Sequence, residues 1–100
     1  MVDKEIKQDV ESQIRGARSE RLFKRNRVLV ARYFYWTDIR RRRYDDVIRI
    51  LEEDEFFVEY QTISRILNAY DAYYNYLKGT LPPKFAIKSL KKEYPSWNWG

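Results

Sequence analysis

The scarcity of turn-forming residues is the feature that most restricts how this chain can fold. Its 100 residues include only three glycines and three prolines. Barrels and sandwiches built from many short strands need Gly and Pro at their turns, whereas a mostly helical chain does not. One domain is the norm at this length, and 44% hydrophobic residues are enough for a core. We therefore expect an all-α fold, a small helical domain of four to five helices.

Apolar residues recur at helical spacing along most of the chain. The clearest pattern predicts one helix over 59–78, with an apolar face made of Ile63, Ile66, Leu67, Tyr70, Tyr74 and Leu77. Further helices are expected over 21–42, over 45–53 with Asp45 as N-cap, and over 84–93. The connector "EDEFFV" is expected to turn Phe56 and Phe57 inward. These elements divide the chain into a polar, weakly helical segment 1–20 that Gly16 interrupts, a helical domain 21–94 and an aromatic tail 95–100.

Two missing residue types exclude most catalytic chemistry. The chain has no cysteine and no histidine, so it has no disulfide, no thiolate ligand and no imidazole base. The acidic run Glu52–Glu55 occupies four successive positions, which point in different directions on a helix, and this favours a solvated helix end over a metal site. We expect a non-enzyme without cofactor or metal.

The N-terminus is polar and the longest apolar-rich run, 28–36, is well below the ~20 residues of a membrane span. A cytoplasmic protein with no membrane contact is therefore expected.

Charge is strongly segregated along the sequence. Residues 15–43 contain eleven basic residues, ten of them Arg, against two acids, a net charge of +9. Residues 45–59 contain seven acids against one Arg, a net charge of −6. Arginine forms bidentate contacts with phosphate and can stack on bases, which fits a surface that binds a polyanion. The alternative is that the basic stretch pairs with the acidic stretch inside the same fold.

Residues 45–68 are the part of the chain that indicates a function. A short helix, a tight connection and a second helix form a helix-turn-helix-like unit, in which the second helix can enter the major groove of DNA. Opposite the predicted core face lie Gln61, Arg65 and Asn68, with Ser64 on one flank. These residue types read base edges, although any solvated helix face can carry them. The residues predicted to contact phosphates are Arg40, Arg41, Arg42, Arg43, Arg25 and Arg32.

The segment "LVARYFYWTDIRRRRYDDVIRILEEDEFFVEYQTISRIL", residues 29–67, resembles small helix-turn-helix DNA-binding proteins of bacterial mobile elements that are often described as transposase-like. "TISRIL" in particular looks like a recognition helix. The resemblance implies sequence-specific binding of double-stranded DNA, with Gln61, Ser64 and Arg65 at base-contacting positions. It also implies a role in a mobile element or its regulation.

The aromatic residues leave a second class of function open. Tyr73 and Tyr76 lie off the apolar face and, with Trp97 and Trp99 of the tail, are candidates for a homodimer contact. The tail tryptophans could equally close the edge of the protein's own core. The alternative function is therefore a helical protein-interaction module, which would bind a partner through the aromatic tail and the acidic run.

Overall fold

A computed structural model describes residues 2–100, with side chains described from residue 17 onward. Five helices follow one another: α1 (Val2–Phe34, continued by the π-helical turn Tyr35–Ile39), α2 (Tyr44–Arg49, continued by the π-helical turn Ile50–Glu55), α3 (Tyr60–Ala69), α4 (Asp71–Lys78) and α5 (Pro83–Glu93). No strand occurs in residues 2–100, and the predicted all-α fold of four to five helices is confirmed. The backbone of α1 continues through Gly16, so the predicted interruption at this glycine is wrong.

The turns after α1 and after α2 repeat the same backbone geometry. Each begins with a residue, Arg40 or Phe56, whose N–H donates to the carbonyl five residues earlier at 2.9 Å. Each continues with a left-handed residue, Arg41 at φ 58° and Phe57 at φ 57°. Left-handed backbone is uncommon outside glycine, and especially so for a bulky aromatic residue. The absence of glycine therefore does not prevent these tight turns, because Arg41 and Phe57 adopt the conformation that glycine usually provides.

The N-termini of α2 and α3 are also alike, and here the predicted cap is wrong. Arg43 precedes α2 and Glu59 precedes α3, both with extended backbone and neither with a capping side-chain hydrogen bond. Asp45, predicted as the N-cap, lies within the first turn of α2. There its carboxylate can still favour the positive end of the helix dipole.

The helix predicted over 59–78 is broken at Tyr70. This residue has φ −108° and ψ 27°, outside the helical region, and it separates α3 from α4. Its ring lies 6.0 Å from that of Phe23, and its hydroxyl accepts a 3.5 Å hydrogen bond from Asn26 of α1. These contacts with α1 accompany the change of helix direction. The last predicted helix is confirmed within one residue, and it begins at a proline, as helices often do.

The core lies where α1, α2, α3 and the end of the chain meet. Its largest fully buried side chains are Trp99, Phe34, Leu29, Leu51, Ile63, Leu90, Val30 and Val47. Phe56 also packs against this core. Phe57 does not, since it is 76% exposed, and its predicted inward position is wrong. The left-handed backbone at Phe57 turns its side chain outward after Phe56 has turned in.

Candidate nucleic-acid interface

The turn between α1 and α2 presents four consecutive arginines to solvent. Arg40, Arg41, Arg42 and Arg43 are all exposed. Their backbone is held at two points, because the N–H groups of Arg40 and Arg42 donate to carbonyl oxygens of the preceding helical turn, each at 2.9 Å. We call residues 40–43 the arginine turn. A fixed backbone with outward guanidinium groups is suited to contacts with a row of phosphates.

The arginine turn takes no part in the ion pairs of residues 17–100. Within residues 17–100, ion pairs join Lys24 to Glu20, Arg27 to Glu93, Arg32 to Glu55 and Arg49 to Asp46. None of these pairs includes a residue of the arginine turn, and only Arg32–Glu55 connects the basic stretch to the acidic stretch. Pairing inside the fold therefore accounts for Arg32 but not for residues 40–43.

Two tyrosines connect the arginine turn to the first turn of α3. Tyr44 follows the arginines directly, and its hydroxyl lies 3.2 Å from the hydroxyl of Tyr60, the first residue of α3. This hydrogen bond, together with partial burial, raises the pKa of Tyr44 to about 12. The contact brings the arginine turn and α3 to the same region of the surface.

Helix α3 has the orientation predicted from its sequence. Ile63 and Ile66 are buried, whereas Gln61, Arg65 and Asn68 are exposed. Ser64 is half-buried on the flank of this outward face. The candidate base-contacting residues therefore occupy one side of the helix.

A groove of about 240 Å³ separates this face from α1 and the start of α2. Its lining residues are Tyr33, Tyr44, Ser64, Leu67, Asn68, Asp71 and Tyr74. Ser64 and Asn68 therefore line the same groove as Tyr44, the residue that directly follows the arginine turn. Tyr74 donates a 2.7 Å hydrogen bond to Asp38, and burial together with this bond raises the pKa of the Tyr74 phenol. Tyr74 is therefore a fixed neutral wall of the groove.

Arg32 is not a phosphate contact, contrary to prediction. It is only 4% exposed. Its Nε donates to Glu55 Oε1 at 3.0 Å, one terminal nitrogen to Glu55 Oε2 at 2.5 Å, and the other to the backbone carbonyl of Asn98. Trp36 Nε1 also donates to Glu55 Oε2, at 3.2 Å. A guanidinium group with these partners cannot also bind an external anion.

Four aromatic rings surround the same guanidinium group. The distances from Arg32 Cζ to the ring centroids are 4.8 Å for Trp99, 5.0 Å for Tyr35, 5.2 Å for Trp97 and 5.3 Å for Trp36. We call this arrangement the Arg32 cage. The sequence carried one signal for it, since Arg32 is the single charge within the apolar run 28–36, where a buried charge requires a partner.

The tail tryptophans pack on the protein's own core. Trp99 is buried, and its Nε1 donates to the Tyr94 carbonyl at 2.8 Å. Trp97 stacks on Phe56 with ring centroids 5.3 Å apart. The predicted homodimer contact through Trp99 is therefore wrong, because that ring is buried in its own chain. Trp97 is half-buried against Phe56.

Three candidate residues remain, of which Arg25 and Tyr73 are half-buried and Tyr76 is exposed. Arg25 is half-buried and donates two hydrogen bonds to Asn26. Tyr73 is half-buried and Tyr76 is 65% exposed.

Among the residues described, no cluster of three acidic side chains could hold a metal ion. The same part of the chain contains no helix long and apolar enough to cross a membrane.

Comparison with known proteins gives no match to a family model, a curated protein or a solved structure.

The orientation of α3 can be tested by one pair of substitutions. Ile63→Ala removes a fully buried side chain and is expected to lower the free energy of unfolding by about 2–5 kcal/mol. Asn68→Ala, on the exposed side, is expected to change it by less than about 0.5 kcal/mol. Urea denaturation followed by circular dichroism measures both values. Similar losses for the two variants would contradict the assignment of the outward face.

Proposed function

We propose that this protein binds double-stranded DNA, with the arginine turn on backbone phosphates and the outward face of α3 on base edges. The observation that carries the proposal is the set of four exposed arginines, 40–43, with no ion-pair partner within residues 17–100. Exposed cations without acidic partners attract a polyanion and release its counterions on binding.

The neighbourhood of the arginine turn supports a duplex as the ligand. Phosphate contacts position a protein on DNA, and nearby side chains then read the bases. Tyr44 and Tyr60 connect the turn to α3 through their 3.2 Å contact. The outward face of α3 offers the amide groups of Gln61 and Asn68 for adenine. Arg65 has the chemistry to bind guanine in the same groove.

We also propose that residues 45–68 form a helix-turn-helix-like unit and that the protein is linked to a bacterial mobile element. The sequence resemblance of residues 29–67 supports both. The tight left-handed turn at Phe57, between α2 and α3, is compatible with the first of them. Turns of this motif often contain glycine, and here Phe57 adopts the left-handed conformation instead.

Direct base reading by Arg65 is the sharpest test of the proposal. After site selection from random duplexes, Arg65→Ala is expected to lose about 1–3 kcal/mol of binding free energy on the selected site. On random duplex the same variant should lose little, and preference should relax at a single base pair. Fluorescence anisotropy on both duplexes measures the difference.

Arg49→Ala is the matched control for this measurement. Arg49 is another exposed arginine, on α2, and it lies 3.4 Å from Asp46. Its removal should leave both affinities unchanged. Equal losses on all sequences for Arg65→Ala would make Arg65 a phosphate contact, and no loss would remove base reading by this residue from the proposal.

A specific observation also favours a second candidate, a protein-interaction surface at the other end of α2. Phe57 is 76% exposed on a left-handed turn, and the nearby acids Glu53, Asp54 and Glu59 form no ion pairs within residues 17–100. An exposed aromatic residue among acids fits a basic partner protein. Trp99 of the aromatic tail does not contribute, because it is buried. Phe57→Ala separates the two candidates, since it should weaken a protein partner and leave DNA affinity unchanged.

A further inference from the structure

A row of stacked planar groups crosses the surface where α1 meets α4. The guanidinium carbon of Arg27 lies 5.6 Å from the ring centroid of Phe23 and 4.5 Å from that of Tyr73. Tyr73 in turn stacks on Tyr76, with centroids 6.2 Å apart and planes 14° apart. We call Phe23, Arg27, Tyr73 and Tyr76 the stacking ladder. Its two ends are open, because Phe23 is 50% and Tyr76 65% exposed.

The middle of the ladder is fixed in place. The Tyr73 hydroxyl lies 2.6 Å from the Tyr94 hydroxyl, and Arg27 lies 3.8 Å from Glu93 of α5. Burial and the Tyr73 hydrogen bond raise the pKa of Tyr94, so this phenol stays neutral and holds the Tyr73 ring. The ladder is therefore a preformed platform.

Two adjoining cavities extend from the ladder toward α5. One, of about 270 Å³, is lined by Arg27, Tyr73, Tyr76, Leu77, Ser89, Leu90 and Glu93. The other, of about 330 Å³, is lined by Lys24, Arg27, Val28, Glu93 and Tyr94. They share the ion-paired residues Arg27 and Glu93, and we call the two cavities together the groove.

Lysines lie beside this groove on α5. The exposed lysines of this helix are Lys84, Lys88, Lys91 and Lys92. Within residues 17–100 none of them forms an ion pair. Lys88 and Lys92 are next in sequence to Ser89 and Glu93, which line the groove. The carboxylates beside the groove, Glu93 and Glu20, are each paired with a cation.

We propose that this groove binds single-stranded nucleic acid, with unpaired bases stacked on the exposed ends of the ladder and the lysines on the phosphates. Single-strand binders combine a positive groove with aromatic faces, because every base offers a face to stack on. Arginine adds a cation–π contribution to such stacks. The surface is distinct from the one proposed for duplex DNA. Arg27 precedes Ile39 by twelve helical positions, roughly 18 Å along α1 at ~1.5 Å per residue.

Charge decides between this ligand and a second copy of the chain. A symmetric dimer through Tyr73 and Tyr76 would bring the same unpaired lysines of both copies together, and like charges at an interface are unfavourable. A nucleic acid strand brings the opposite charge. The strand also fits the shape of the site, because the groove is open and the planar side chains beside it already form a stack.

The test uses the full-length protein and a labelled oligothymidine of about 20 nucleotides, in fluorescence anisotropy at low salt. Tyr76→Ala is expected to weaken binding roughly 5- to 150-fold, the range found when a base loses its aromatic partner. Tyr76→Phe keeps the ring and should stay within about twofold of the wild type. Phe57→Ala removes another exposed ring, on a different surface, and should have no effect. Tyr76 is exposed, so these changes leave the fold intact.

The lysines give an independent measurement on the same probe. Replacing both Lys88 and Lys92 with Gln should reduce the salt slope by about 1.4, since each phosphate contact of a single strand contributes ~0.7. Unchanged affinity of Tyr76→Ala for oligothymidine would overturn the proposal. So would a homodimer in sedimentation that Tyr76→Ala dissociates. Duplex affinity should be the same in Tyr76→Ala and wild type, so failure of either proposed site is seen separately.

Discussion

Replacing Arg32 with methionine is expected to lower the free energy of unfolding by about 3–5 kcal/mol, which is the usual cost of removing one partner from a buried ion pair. The substitution leaves the Glu55 carboxylate, only 12% exposed, without its bidentate partner. The Asn98 carbonyl loses a donor, and the four rings of the Arg32 cage lose their cation. Urea denaturation followed by tryptophan fluorescence is a suitable measurement, because three tryptophans form part of the cage.

Two further variants show whether the charge pair is the cause. Arg49→Met removes an exposed arginine that is paired with Asp46, and it should cost less than about 1 kcal/mol. The double variant Arg32→Met, Glu55→Leu should recover at least about half of the loss, because no unpaired carboxylate then remains. A loss below about 1 kcal/mol for Arg32→Met alone would contradict a stabilising role of the Arg32–Glu55 pair and of the Arg32 hydrogen bond to Asn98.

Replacing all four residues of the arginine turn with glutamine is expected to have the largest effect on DNA affinity. Each phosphate bound on duplex DNA contributes ~0.9 to the slope of log affinity against log salt. Removing four phosphate-binding side chains should therefore flatten the slope by about 3.6 and weaken specific and random duplexes alike. A salt titration by fluorescence anisotropy gives both the slope and the affinity.

The control is a variant of another basic surface. Replacing Lys84, Lys88, Lys91 and Lys92 with glutamine removes the same charge from α5 and should leave the duplex slope nearly unchanged. Circular dichroism should be the same for both variants, because all eight side chains are exposed. Equal flattening by the two sets would show a general charge effect, and no flattening by the arginine set would exclude the arginine turn as a phosphate site.

Much of the fold followed from periodicity, because burial of an apolar face is a local property of a helix. The orientation of α3 is an example, with Ile63 buried and Gln61 exposed as predicted. The break at Tyr70 was not predictable in this way, since it accompanies contacts with Phe23 and Asn26 of α1, more than 40 residues away in the chain. Periodicity along one segment contains no information about such partners.

The candidate site was predicted less completely, for a related reason. A local pattern cannot tell an arginine with an internal partner from one without, and Arg32 and Arg40 belong to the same basic stretch. Arg32 finds Glu55 and the tail only in the folded chain, where the hydrogen bond to Asn98 spans 66 positions. The stacking ladder was equally hidden. Tyr73 and Tyr76 were predicted to lie off the apolar face, but nothing in the sequence placed Arg27 beside them.

The two similar turns at the ends of α2 carry opposite charges, which gives the molecule an electric dipole. One carries the four arginines, and the other lies beside Glu52, Glu53, Asp54 and Glu59. The α-helical residues 44–49 and the π-helical residues 50–55 separate the two turns by more than one screening length of ~8 Å in physiological salt. Close to the surface, each turn therefore acts on a charged ligand mainly through its own charge. A polyanion that approaches the molecule would attract the arginines and repel the acids, which is the orientation that the proposed contact with DNA phosphates requires.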